Sequence, residues 1–197
     1  MLVVLHRPGD QVSYLREVLA SKSRMVVEAI HGQELLVATC YLGQPSEHLE
    51  VDELVHGKLL SDPRMSRRGR TIDDLFGSLA RHAGPRTIGV ILSGALREGA
   101  KGLAEIKQAG GITMVQSPED AEFESMPKSA IAYDRLIDVI APTTELARAI
   151  EHYVYGLEQR HDMHRQDRCA TGDVQGEMAV SLQVSPCGSA PPLAATF

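Results

Sequence analysis

Short apolar runs rich in Val, Ile and Leu alternate along this chain with segments whose apolar residues recur every three or four positions. The runs are typical of buried strands, and the recurring spacing is typical of amphipathic helices. Strands are predicted at Leu2–Leu5, Met25–Ala29, Leu35–Leu42, Thr87–Leu92, Ile112–Gln116 and Leu136–Ile140. Helices are predicted at Val12–Leu19, Thr71–His82, Leu103–Lys107, Met126–Ala132 and Glu145–Tyr155. This alternation indicates an α/β fold, a Rossmann-like, doubly wound, mostly parallel sheet covered by helices on both faces.

Local patterns add three details to this outline. The segment Thr87–Leu103, TIGVILSGALREGAKGL, places a polar loop at the carboxyl end of a strand, where open parallel sheets bind their ligands. Irregular alternation over Leu49–Leu60 predicts a hairpin with Gly57 near its turn. Thr71 is predicted to be the N-cap of the helix that follows it.

Composition narrows the class of protein. The chain has 197 residues, 43% hydrophobic and 23% charged, as soluble globular proteins do. Its net charge of −6 argues against a general nucleic-acid binder, which usually presents a basic face. Cys40, Cys169 and Cys187 fit neither a disulfide framework nor a zinc site, which favours a reducing cytoplasm. No apolar run is long enough to span a bilayer.

Residues 1–156 are predicted to form one domain and residues 157–197 a disordered tail. Helical and strand periodicity ends near Arg160, and the chain closes with SPCGSAPPLAATF, which has little to bury. His161 and His164 have helical spacing, but no third ligand stands in register with them. We therefore expect no metal site in the tail.

Six motifs, in the same order, resemble those of the catalytic domain of the chemotactic protein-glutamate methylesterases (CheB-type). They are VVLHRP, EAIHGQEL, YLGQPSEHL, TIDDLF, GVILSGALREGAKGL and GGITMVQSPEDAEFESMPKSAI. The first resembles the strand that carries the family's catalytic histidine. The others resemble EAxDGxxL, YxAPxxxHL, SxDxLF, GVxLTGMGxDGxxGL and GGxTxxQxxxxxxxxGMPxxA in turn. The resemblance runs from Met1 to about Tyr155.

The resemblance implies a Ser/His/Asp triad that hydrolyses glutamate methyl esters on chemoreceptor helices and releases methanol; some members also deamidate receptor glutamines. In a serine esterase the histidine takes the hydroxyl proton, and the carboxylate holds the imidazole in the productive tautomer. His6 falls on the family histidine and Glu98 on the family aspartate. Ser93, Gly94 and Ala95 fall on the loop whose N–H groups can stabilise the oxyanion.

The resemblance also sets the expected partners. They are the cytoplasmic helices of chemoreceptors and a receiver domain acting in trans, because the family's amino-terminal receiver domain does not appear in this sequence. No cofactor, metal ion, nucleic acid or membrane insertion is expected, and the expected location is the cytoplasm.

Two departures from the family pattern bear on activity. The family's nucleophilic serine lies upstream of the histidine in a GASxGG-like strand–turn–helix unit, and these 197 residues contain no such motif. We therefore expect that the first strand and helix of the fold are missing and that the chain is inactive as it stands. At position 98, Glu replaces Asp, which moves the carboxylate by about 1.5 Å. Misplacement on that scale costs on the order of a hundredfold in rate.

The missing strand also bears on stability. In the family's sheet it lies next to the strand of Leu2–Leu5, so its loss predicts an unpaired parallel edge, aggregation and low stability. Two explanations stand side by side. Either the gene model starts too late, or the gene is truncated and its product is a non-catalytic receptor-binding or regulatory remnant.

Other interpretations of single features are weaker. The loop from Gly94 to Lys101 approaches a phosphate-binding P-loop, but Ala100 follows Gly99 and Gly102 stands where Ser or Thr should bind magnesium. A hydroxyl that hydrogen-bonds the loop is favoured for Ser93 over a substitute nucleophile. A buried, inert thiol is favoured for Cys40. The Arg64–Arg70 cluster is read as a solvated loop, with contact to acidic receptor helices as the alternative.

Overall fold

A computed structural model describes residues 1–5, 14–29, 34–36, 38–43, 47–53, 56–61, 69–155 and 193–196. The strands are β1 (Leu2–Val3), β2 (Val26–Ala29), β3 (Thr39–Leu42), β4 (Glu47–Val51), β5 (Gly57–Ser61), β6 (Thr87–Ile91), β7 (Ile112–Gln116), β8 (Val139–Ala141) and β9 (Leu193–Thr196). The helices are α1 (Leu15–Lys22), α2 (Thr71–His82), α3 (Ala100–Gln108), α4 (Ser125–Asp134) and α5, which covers residues 143–155.

A parallel sheet runs through the fold. Within the described residues, seven strands pair in the order β2-β3-β1-β9-β6-β7-β8, and each neighbouring pair is parallel. β6 and β7 are buried almost throughout, as expected for strands covered on both sides. The predicted α/β class with a parallel sheet is confirmed.

Helices cover both faces of the sheet. On one face α2, α3 and α4 contribute Phe76, Leu103 and Met126 to a common core. On the other face Leu146 of α5 packs beneath β6 and β7, and Leu19 of α1 packs beneath β3. The predicted doubly wound arrangement is therefore present.

β4 and β5 form a separate antiparallel hairpin, as the sequence predicts. Val51 pairs with Gly57, so Gly57 begins the second strand. The N–H of Val51 also donates to Oγ of Ser78, at 3.0 Å, and this bond joins the hairpin to α2.

Several predicted boundaries differ from the structure because single residues take left-handed backbone conformations. Ala38 has a φ of 53°, and β3 begins directly after it rather than at Leu35. Arg135 has a φ of 60° at the end of α4, and β8 begins only at Val139. A left-handed residue interrupts the repeating backbone of a strand or a helix, so Ala38 accounts for the start of β3 and Arg135 for the end of α4. α1 begins at Leu15, later than predicted, and Val12 lies outside the described residues.

The strand β9 is the main difference from the sequence-based outline. It lies in the segment 157–197, for which the sequence predicts a disordered tail, and Leu193–Thr196 is the described part of that segment. β9 pairs in parallel with β1 on one side, Leu2 opposite Ala195, and with β6 on the other, Gly89 opposite Ala195. The predicted unpaired edge beside β1 is therefore paired with β9 in the structure. The low stability expected of the chain stays a prediction.

α2 and α3 pack in close contact through two glycines. A Cβ at Gly102 would lie 2.6 Å from Cβ of Phe76, and a Cβ at Gly77 would lie 2.7 Å from Oε2 of Glu105. α3 follows β6 and therefore begins at the carboxyl edge of the sheet. α2 precedes β6 and runs in the opposite direction, so it begins at the same edge. Their N-termini consequently lie side by side at that edge.

None of the helices in the described part of the chain is both long and apolar enough to cross a membrane.

Candidate functional site

The predicted site residues follow β1 and β6 in the chain. Ser93, Gly94, Ala95 and Glu98 lie between β6 and α3, at the carboxyl edge of the sheet. His6 follows β1 but lies outside the described residues. Its distance from Glu98 is therefore still a prediction.

The sheet order supports that prediction. β1 and β6 are parallel and lie on either side of β9, so their carboxyl ends reach the same edge. Two strand spacings separate them, about 10 Å in all. Loops that leave two such strands can bring a histidine and a carboxylate together across the edge.

Glu98 is a buried carboxylate at the N-terminus of α2. Only 4% of its surface is exposed. Its Oε1 accepts a hydrogen bond of 2.5 Å from the backbone N–H of Ile72. The first N–H groups of a helix have no partner within the helix and carry partial positive charge, which favours an anion there.

This contact also corrects the predicted helix cap. Thr71 is the first residue of α2, Arg70 holds the N-cap position, and neither supplies a capping side-chain hydrogen bond. The backbone N–H of Ile72 donates instead to the carboxylate of Glu98, which lies 26 positions further along the chain.

Two hydrogen bonds join Ser93 to the end of β7 and to the segment that follows it. Its hydroxyl accepts the N–H of Phe123 at 2.8 Å. Its own N–H donates to Oε1 of Gln116, also at 2.8 Å. The hydroxyl is hydrogen-bonded, but to the segment that follows β7 rather than to its own loop, and this bond favours a structural role over that of a substitute nucleophile.

Gly94 pairs with the start of α4. Its N–H donates to the carbonyl of Phe123 and its carbonyl accepts the N–H of Met126, both at 2.9 Å. A Cβ at this position would lie 2.6 Å from Cε and 2.9 Å from Sδ of Met126, so a side chain here would displace that of Met126. The N–H groups of Ser93 and Gly94 both donate hydrogen bonds to other groups of the protein, to Gln116 and to Phe123. Ala95, at an exposed position, is the remaining candidate of the three for an oxyanion donor.

A polar network behind the loop was not predicted. The side-chain amide of Gln116 donates to the carbonyl of Asp120 and to its Oδ2, at 3.1 and 2.8 Å. Hydrogen bonds from the Thr143 N–H and from Gln116 hold the pKa of Asp120 below its ordinary value. Gln116 matches the glutamine of the family pattern GGxTxxQ. The motif therefore marked this residue, but it did not indicate that the side chain binds Asp120.

The N-terminus of α3 already holds an anion of the protein itself. Oδ1 of Asp73 accepts the N–H of Gly102 at 2.7 Å. A P-loop would offer this N–H to a phosphate. The carboxylate of Asp73 takes its place, with Glu98 nearby, so the phosphate-binding alternative has neither its magnesium ligand nor an open anion site.

Two other candidate features have structural explanations. Cys40 is 1% exposed, and burial raises the pKa of its thiol, so it is an unreactive core residue. Within the described residues, no three His, Cys, Asp or Glu side chains come together as a metal site. Arg70 lies 3.9 Å from Asp74, while Arg64, Arg67 and Arg68 lie outside the described residues.

Known proteins similar to this chain agree with the motifs. The profile described as CheB methylesterase matches residues 1–150. The protein-glutamate methylesterase/protein-glutamine glutaminase 1 of Burkholderia pseudomallei (strain 1710b) is 33% identical over 156 residues, which cover 76% of this chain and 42% of that protein. The corresponding protein of Chromohalobacter salexigens is 34% identical over 145 residues, covering 72% of this chain and 41% of its own length.

The fold has a solved counterpart as well. The crystal structure of the Thermotoga maritima CheB methylesterase catalytic domain superimposes with a TM-score of 0.70 at 25% identity, covering 78% of this chain and 82% of that chain. The chain spans about two fifths of the length of the two relatives described above. By its profile, its relatives and its fold, the chain belongs to the CheB methylesterase family.

Proposed function

We propose that residues 1–156 carry the acid–base part of a protein-glutamate methylesterase site. In this proposal His6 is the general base, Glu98 orients it, and the N–H of Ala95 faces the developing oxyanion. The observation that carries the proposal is the position of Glu98, buried at the same sheet edge to which β1 leads His6. The substrates would be glutamate methyl esters on the cytoplasmic helices of chemoreceptors, with glutamine deamidation as a related reaction.

The chemistry requires a serine that these 197 residues do not contain in a GASxGG-like motif. The serine oxygen would attack the ester carbonyl while His6 takes its proton. His6 would then return that proton to the departing methoxide, which leaves as methanol, and water would release the glutamate in a second step. The 197-residue chain by itself is therefore expected not to hydrolyse the methyl ester. Control by a receiver domain in trans and location in the cytoplasm belong to the same proposal.

The test compares two proteins. One is the 197-residue chain, and the other is the same chain preceded by a family strand–turn–helix segment with its serine. Each is incubated with methyl-labelled chemoreceptor, and released methanol is measured. We expect methanol from the extended protein alone, and a loss on the order of 10⁴-fold in its His6→Ala variant.

A control variant makes the result specific. His152→Ala changes an exposed histidine on α5 and should retain methanol release in the extended protein. Methanol release that survives His6→Ala would contradict the proposal. Receptor binding without methanol release from either protein would instead support the alternative of a non-catalytic receptor-binding or regulatory domain.

A further inference from the structure

Two carboxylates at the carboxyl edge cap each other's helices. Glu98, which directly precedes Gly99 and α3, accepts the N–H of Ile72 at the start of α2. Asp73, in the first turn of α2, accepts the N–H of Gly102 at the start of α3. Each helix thus supplies a donor to the acidic residue of the other. In the sequence, Asp73 occupies the acidic position of the TIDDLF motif and suits the positive end of the α2 dipole.

We propose that Asp73 is a positioning residue that fixes the place of the Glu98 carboxylate at the site. The proposal rests on the proposed function, because Glu98 is the group whose position would matter for the reaction. Asp73 does not act on the substrate in this account. It acts through the backbone of the segment that carries Glu98.

The backbone contacts explain how this works. Gly99 follows Glu98 directly and has a φ of 90°, and a Cβ on it would lie 2.7 Å from Cγ2 of Ile72. A Cβ on Gly102 would lie 3.0 Å from Cα of Asp73. The segment from Glu98 to Gly102 therefore lies directly against the first turn of α2. With Asp73 holding Gly102, the segment has little freedom to carry the Glu98 carboxylate away from its place.

The charges of the pair are coupled. Burial raises the pKa of Asp73 above its ordinary value of 3.8, and hydrogen bonds from the N–H groups of Gly102 and Gly99 act against this. The charge of Glu98 raises the pKa of Asp73 further, and the charge of Lys101 lowers it. The two like charges are held close together because each faces the positive end of a helix.

The first test uses the 197-residue chain. The titration midpoint of the Asp73 carboxyl is measured by carbon NMR in the wild type, in Glu98→Gln and in Glu151→Gln. Glu98→Gln keeps an oxygen that can accept the Ile72 N–H but removes the charge, so the midpoint of Asp73 should fall. Glu151→Gln removes an exposed carboxylate on α5, on the other face of the sheet, and should leave it in place. An unchanged midpoint in Glu98→Gln would overturn the proposal, as would an equal shift in both variants.

The second test uses the serine-extended protein and measures kcat and KM for methanol release. Asp73→Ala removes the acceptor for Gly102 and should lower kcat on the order of tenfold, since displacement of a catalytic group by about 1 Å has effects of that size or larger. KM should change less than about twofold, because no substrate contact is lost. Asp73→Asn keeps an acceptor oxygen and should restore most of kcat.

Asp74→Asn is the matched control, because Asp74 lies in the same helical turn and pairs with Arg70. It should leave kcat at the wild-type value. A wild-type kcat in Asp73→Ala, or an equal loss in Asp74→Asn, would overturn the positioning role. Failure of the proposed function has a different signature, namely no methanol from the extended wild-type protein.

Discussion

At the scale of single residues, Glu98 separates what a motif can predict from what it cannot. Its place in the GVILSGALREGAKGL segment predicts its position after β6, which the structure bears out. Its hydrogen bond to Ile72 joins residues 26 positions apart, and no local pattern carries that information. Ser93 is a second example. The sequence predicts that its hydroxyl hydrogen-bonds its own loop, but the hydroxyl accepts the N–H of Phe123, 30 positions further along the chain.

Asp138 provides a prediction at the same scale. Burial alone would raise its pKa, but hydrogen bonds from the Lys107 ammonium and from the N–H and hydroxyl of Thr113 outweigh burial and lower it below 3.8. A carboxyl whose pKa is lower in the folded chain contributes stability above its unfolded pKa and loses that contribution as the pH falls through the folded value. Asp138→Asn should therefore lower the free energy of unfolding at pH 7 by about 1–3 kcal/mol.

The pH dependence makes this prediction specific. The difference between wild type and Asp138→Asn, measured by urea denaturation, should shrink as the pH falls below about 4, because the wild type then loses its own contribution. Glu119→Gln, at an exposed carboxylate in the loop after β7, should change stability by less than about 0.5 kcal/mol. A difference that stayed constant from pH 7 to pH 2 would show that the charge of Asp138 is not involved.

At the scale of elements, local periodicity predicts the long strands and helices but not β9. The bounds of β7 agree residue by residue with the prediction, because Ile112–Gln116 is an apolar run between two turns. β9 is four residues long, contains two alanines and follows two prolines. Nothing in that pattern favours a strand, and its conformation depends on the pairing that β1 and β6 offer. A short window of sequence cannot predict pairing with strands that are distant in the chain.

The pairing of β9 predicts the effect of a proline at its centre. Ala195→Pro removes the backbone N–H of a residue that lies between Leu2 of β1 and Gly89 of β6. Loss of that hydrogen bond, together with the steric conflict of the ring, should lower the free energy of unfolding by at least about 1 kcal/mol.

Ala195→Gly is the matched control for this change because it keeps the N–H. It should lower the stability by no more than about 1 kcal/mol. Hydrogen exchange of the β1 and β6 amides should accelerate in Ala195→Pro and much less in Ala195→Gly. Equal exchange in both variants would indicate that β9 does not stabilise the centre of the sheet.

At the scale of the whole molecule, the motif order predicted the family and the α/β class, and both are confirmed. The order of strands in the sheet is what gives those motifs a common site. β1 and β6 are far apart in sequence but lie on either side of β9, and the N-termini of α2 and α3 meet at the same edge. This order of strands could not be predicted from the sequence, because spacing along a chain does not tell which strands become neighbours.

The central claim is that Glu98 orients His6, and the protonated nitrogen of the His6 ring tests it most directly. A long-range proton–nitrogen correlation spectrum of the 197-residue chain, labelled at histidine, identifies that nitrogen at a pH where the ring is neutral. The account predicts a proton on Nδ1, donated to Glu98, and a mixture of both tautomers in a folded Glu98→Ala variant. A proton on Nε2 in the wild type, or the same tautomer in both proteins, would contradict it.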